Sequence, residues 1–77
     1  MEIKRRVREF LGKVTDESAV ADSDNIFEKG IVNSLFAMQL LVFVEKEFDV
    51  TVNGDELDIE NFKSIDAITA LVDAKLA

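Results

Sequence analysis

Between Leu35 and Val44 the chain has a single polar side chain, Gln39, and a protein of 77 residues cannot cover so apolar a helix on every side with its own side chains. Asn33 precedes this stretch and is a suitable N-cap, so the sequence predicts a helix from there to about Phe48. At a step of about 100° per residue, Ala37, Leu40, Leu41, Val44 and Phe48 share one face, and Leu35, Met38, Gln39, Val42 and Lys46 the opposite one. The first set is expected in the core. The second, edged by Glu45, is expected to form an apolar strip with charged borders, suited to docking other proteins unless the preceding loop or a second copy covers it. Met38 gives such a strip the ability to adapt to several partners.

The rest of the chain supplies what this helix packs against. Ile3, Val7, Phe10, Leu11 and Val14 recur at spacings of three and four, marking one stripe of a first helix whose end is weakened by Gly12. From Thr15 to Val32 the pattern gives way to Asp, Ser, Asn and Gly, a long loop in which Ile26, Phe27, Ile31 and Val32 read as anchors to the core. After a possible extended stretch at Asp49 to Val52, a short helical turn is expected around Leu57 to Asn61. Ser64 then caps a last helix with Ile65, Ile68, Leu71, Val72 and Leu76 on one side. The predicted fold is all-α: a small bundle of three long helices and one short one, with a long loop between the first and second, forming a single domain over residues 1–77. Its expected core is Ile3, Val7, Phe10, Leu11, Phe27, Leu40, Leu41, Val44, Phe48, Phe62, Ile65, Ile68 and Leu71.

Composition narrows the chemistry. The chain has no cysteine and no histidine, which argues against disulfides, thiolate metal sites and the commonest general base. The first residues alternate charged and apolar groups and match neither a signal peptide nor a membrane span, so a cytoplasmic protein is expected. The formal charge of -7 is uneven. Residues 1–14 hold five basic and two acidic groups, leaving four basic and fourteen acidic groups, a sum of -10, in residues 15–77. Such a field disfavours nucleic acid and anionic membranes as partners and favours basic patches on proteins, although acidity also simply keeps a small domain soluble. A monomer is expected.

Ser34 begins the apolar helix, where unpaired backbone N–H groups and the positive end of the helix dipole favour a nearby anion such as a phosphodiester. An isolated Asn-Ser pair, however, reads as ordinary helix capping. Wider context changes that reading. Gly30-Ile31-Val32-Asn33-Ser34-Leu35 follows an acidic loop containing Asp24 and Phe27. It precedes a helix ending Glu45-Lys46-Glu47-Phe48 and a closing segment Asn61-Phe62-Lys63-Ser64-Ile65 with Ala67-Ile68. Over essentially its whole length the chain resembles the acyl carrier protein family, whose pattern at this point is Gly, two residues, Asp-Ser-Leu.

The resemblance implies that Ser34, with Asn33 beside it, receives 4'-phosphopantetheine from coenzyme A through a phosphopantetheinyl transferase. It implies that an acyl group rides as a thioester on the arm's thiol, and that the protein is not itself an enzyme. Leu35, Met38, Gln39, Val42 and Glu45 fall where the family meets its partners. Asn33 stands where the family usually has Asp, and Gln39 where an acidic residue is common, which opens the question of which transferase acts. The string Val32 to Leu40 is similar to stand-alone carriers of methoxymalonyl or hydroxymalonyl extender units. That likeness implies acyl-loading and acyl-modifying enzymes and a polyketide synthase acyltransferase as partners. An aminoacyl, peptidyl or D-alanyl carrier is the alternative within the class. Outside it stand a helical docking module without a prosthetic group, and a calcium site, because Asp49, Thr51, Asn53, Gly54 and Glu60 fall at EF-hand positions.

Overall fold

Four α-helices occur among the described residues, in chain order α1 (Glu2–Leu11), α2 (Ser34–Phe48), α3 (Ile59–Phe62) and α4 (Ile65–Leu76), with 3₁₀ turns at Glu17–Ala19 and Gly54–Glu56. The computed structural model describes residues 2–77, apart from the side chain of Glu17, and contains no strand among them. The expected all-α bundle with its long first loop is therefore the observed fold.

α1 buries Val7 and Leu11 and packs against α4, with Ile3 and Phe10 lying against the same core. Val14, expected on this stripe, is instead 49% exposed. The helix stops at Leu11, and two tighter bonds, Lys13 N–H to the Phe10 carbonyl and Val14 N–H to that of Leu11, wind the chain out of α-helical register and turn Val14 to solvent.

The loop before α2 is fastened at several points. Val20, Ile26 and Val32 are buried, with Phe27 and Ile31 partly so. Two backbone bonds join it to the approach to α4: Ile26 N–H donates to the Lys63 carbonyl at 2.8 Å, and Asp66 N–H to that of Asp22 at 3.0 Å. The carboxylate of Asp22 also accepts from Arg8 at 2.7 Å and Lys4 at 3.2 Å, tying the loop to α1.

α2 buries Leu40 and Val44 completely, as its apolar periodicity predicts, with Ala37, Leu41 and Phe48 partly buried beside them. Phe36 and Phe43 point to α1, where the Phe10 ring stacks with both, at centroid distances of 5.3 and 4.3 Å. The helix ends on Asp49 in the left-handed conformation (φ 53°), its N–H returning to the Glu45 carbonyl. The extended stretch expected from Asp49 to Val52 does not begin at Asp49, whose short polar side chain tolerates the left-handed conformation that closes the helix, and residues 50–52 form no strand. Of the residues that follow, Val52 is buried in the core and Val50 packs partly against it.

α3 begins two residues later than the turn expected at Leu57, because Asp58 caps it by accepting the Glu60 N–H at 3.0 Å. Ser64 caps α4 through the Ala67 N–H, also at 3.0 Å. Ile65, Ile68 and Val72 of α4 are buried and Leu71 lies against them. Leu76 departs from the expected stripe and is 53% exposed at the C-terminal end of α4.

Candidate functional site

The approach to Ser34 is built by one glycine and one aspargine-type cap. Gly30 has φ +75°, a conformation that side chains make costly, and closes a turn in which the Ile26 carbonyl accepts N–H bonds from both Ile31 (3.0 Å) and Val32 (3.1 Å). This turn sends Val32 into the core. Asn33 follows in extended backbone, and its Oδ1 accepts the Phe36 N–H at 2.9 Å, starting α2 with Ser34 as its first residue. The spacing from Gly30 to Ser34 thus has a mechanical basis: turn, core anchor, cap, then an exposed hydroxyl at the helix start. Ser34 is not the capping side chain, which leaves its hydroxyl available.

An apolar groove opens beside Ser34, between α2 and the α3 region. It is lined by Phe27, Ala37, Met38, Leu41, Ile59 and Phe62, with Leu57 and Asp58 at its edge. The N-terminal backbone N–H groups of α2 and the positive end of its dipole favour negative charge near the Ser34 hydroxyl.

On the other side of α2, Leu35 is 71%, Met38 56% and Val42 46% exposed, and Gln39 and Lys46 are exposed with them. All five line a second groove whose remaining walls come from Phe10, Phe43 and Glu47. Glu45 differs from its expected place on this face. It is half-buried, and its Oε2 accepts the Val52 N–H at 2.9 Å, so its carboxylate holds the chain that follows α2. Periodicity on α2 cannot reveal this, since the partner group lies seven residues away in irregular backbone. Phe10 and Phe43 are residues that the sequence reading did not assign to this surface. The seven-residue spacing of Phe36 and Phe43 was the available signal that one flank of α2 meets α1.

The loop carboxylates are shifted by ion pairs. Asp22 is held below the ordinary carboxylate range, chiefly by the Arg8 guanidinium and then by the Lys4 ammonium. Asp24 is held low by the Ala21 N–H first and by Lys29 second. The residues at EF-hand spacing are used otherwise. Asp49 ends α2, the Asn53 N–H donates to the Glu56 carboxylate at 2.9 Å across the Gly54–Glu56 turn, and Glu60 pairs with Lys63 at 2.9 Å. No cluster of three or more side chains able to hold a metal occurs among the described residues. Among them, too, no helix is long and apolar enough to cross a membrane.

Comparison with known proteins agrees with this geometry. The family model described as the phosphopantetheine attachment site matches residues 2–72. A D-alanyl carrier protein of Listeria monocytogenes is 29% identical over 76 residues, covering 96% of this chain and 97% of the relative. One of Bacillus velezensis is 35% identical over 66 residues, covering 83% and 85%. One of Lactococcus lactis is 34% identical over 61 residues, covering 79% and 77%.

Proposed function

Because this chain belongs to the phosphopantetheine-attachment-site family, we propose that it is a D-alanyl carrier whose Ser34 bears the arm. The family's covalently attached 4'-phosphopantetheine supplies a thiol on which a carboxylic acid is held as a thioester. The protein is a carrier and not an enzyme, and its own residues position and present that group. Asn33 fixes the start of α2. The helix N-terminus receives the phosphodiester charge, the Phe27 to Phe62 groove shelters the arm, and Leu35, Met38, Gln39 and Val42 present an apolar surface to whatever loads or unloads it.

The observation that carries the reading is the exposed Ser34 hydroxyl at the first turn of α2, delivered there by the Gly30 turn and left free by the Asn33 cap. The relatives support D-alanine, the alternative within the carrier class, over the oxygenated malonyl unit expected from the string Val32 to Leu40. The methoxymalonyl or hydroxymalonyl reading, with its polyketide synthase acyltransferase, keeps one supporting feature, the string Val32 to Leu40. The partners expected on the present reading are a phosphopantetheinyl transferase and an adenylate-forming ligase for D-alanine, acting in the cytoplasm.

The test is to incubate the phosphopantetheinylated protein with ATP, D-alanine and a D-alanine-activating ligase, and in parallel with methoxymalonyl-forming enzymes. A hydroxylamine-labile mass gain of one alanyl group, absent from Ser34→Ala, supports the D-alanyl reading. A gain only in the parallel reaction transfers the assignment to polyketide extender units.

A further inference from the structure

Of the nine Lys and Arg side chains, seven have a carboxylate partner within ion-pair distance: Lys4, Arg5, Arg6, Arg8, Lys29, Lys63 and Lys75. Lys13 and Lys46 have none among the described residues. In a chain with sixteen acidic groups this is a sharp exception, and the two cations border the same surface. Lys46 ends the groove formed by Leu35, Met38, Val42, Phe10 and Phe43. Lys13 stands over the Phe10 ring, 5.0 Å from its centroid, in the adjoining hollow that shares Phe10, Phe43 and Glu47. The acidic groups of this rim are already engaged. Arg6 holds Glu47, and Arg5 holds Glu9. The surface is therefore apolar at its centre and left with positive charge at its edge, although the chain as a whole carries -7.

We propose that the docking face spans α2 and α1 over the Phe10–Phe43 stack, and that it takes an apolar helical segment of a partner protein bearing carboxylates that pair with Lys46 and Lys13. This rests on the partner surface assigned to α2 above and adds its second helix and the partner's charge. Complementarity decides the sign: a basic partner segment would meet two ammonium groups with no carboxylate beside them, whereas an acidic one meets the only Lys and Arg side chains among the described residues that lack an internal carboxylate partner. The apolar strip supplies area, and the rim charges supply orientation and selectivity against basic segments.

The experiment titrates two synthetic amphipathic peptides into the full-length 15N-labelled protein, followed by NMR. The peptides share one leucine stripe at helical spacing and differ only in flanking Glu or Lys. The expected result is that the Glu-flanked peptide shifts the amides of Phe10, Leu35, Met38, Val42, Phe43 and Lys46 and binds at least about threefold tighter than its Lys-flanked twin. K13E/K46E, whose folding is checked by circular dichroism, should reverse that preference. Equal affinities, preference for the Lys-flanked peptide, absence of binding, or shifts confined to other faces would overturn the proposal. So would sedimentation equilibrium showing a dimer that buries these same amides, since a second copy would then occupy the face. Phosphopantetheinylation of Ser34, read separately by intact mass, tests the carrier assignment without depending on any of these outcomes.

Discussion

The carboxylate of Glu45, on α2, accepts the backbone N–H of Val52 at 2.9 Å, joining the last turn of the helix to the chain that leaves it. Val52 is nearly buried, so its N–H has little access to water as a substitute partner. Glu45→Ala should lower stability by about 1 kcal/mol through the unpaired donor, and Glu45→Gln, which keeps an acceptor oxygen, should recover most of it. Urea unfolding measures both. Phosphopantetheinylation of the folded variants should be unchanged, because the side chain serves the fold.

The two faces of α2 give opposite responses to charge. Val44 is fully buried and Val42 is 46% exposed, although they lie two residues apart. Val44→Asp strands a carboxylate in the core at a cost of about 3 to 5 kcal/mol, comparable with the whole stability of so small a domain, and should unfold it. Val42→Glu and Met38→Glu should keep native circular dichroism while impairing transfer to or from a partner enzyme. A folded Val44→Asp would contradict the placement of α2.

Much of this facing is legible in the residues themselves. Leu40 and Val44 against Leu35, Met38 and Val42 follow from helical period alone, and Asn33 and Ser64 cap the helices that they were expected to cap. What the pattern leaves out depends on tertiary contact. Val20 and Val52 reach the core from irregular backbone, where no period marks a buried side. Glu45 looks like part of the charged border until the returning chain brings the Val52 N–H to it. The motif around Ser34 is legible as a pattern, whereas the need for Gly30 becomes physical only once its positive φ and the hydrogen bonds from the Ile31 and Val32 N–H groups to the Ile26 carbonyl are seen.

That turn can be tested directly. Space around Gly30 is open, so an added methyl meets no atom within 4 Å, and the cost of Gly30→Ala comes from the backbone conformation alone. It should destabilise by about 1 to 2 kcal/mol. Asn33→Ala should cost about 1 kcal/mol by removing the cap, while Asn33→Asp should retain the cap and gain a few tenths from the helix dipole. Thermal or urea unfolding ranks the three.

Acidification should loosen the long loop. The Arg8 guanidinium, followed by the Lys4 ammonium, holds the Asp22 carboxyl below its ordinary range. A depressed folded value means that the stabilisation is complete above the unfolded carboxylate pKa of about 3.9 and is lost as pH falls through the lower folded one. Lys4, raised chiefly by Asp66 and then Asp22, gives the opposite limb: its contribution is present below the ordinary lysine range and is lost as pH rises through the raised value. Asp22→Asn should flatten the acid limb of stability against pH, with hydrogen exchange at the Ile26 and Asp66 amides reporting release of the loop. An acid limb identical to that of the unmodified chain would remove Asp22 from this role.

We propose Ser34, the first residue of α2, as the attachment point. The most direct test of this assignment is the intact mass of the protein after incubation with coenzyme A and a broad-specificity phosphopantetheinyl transferase, with Ser34→Ala alongside. A gain of one phosphopantetheine is expected in the unaltered chain and none in the variant. No gain with that enzyme and with a second transferase of different specificity, or an equal gain in Ser34→Ala, would contradict it.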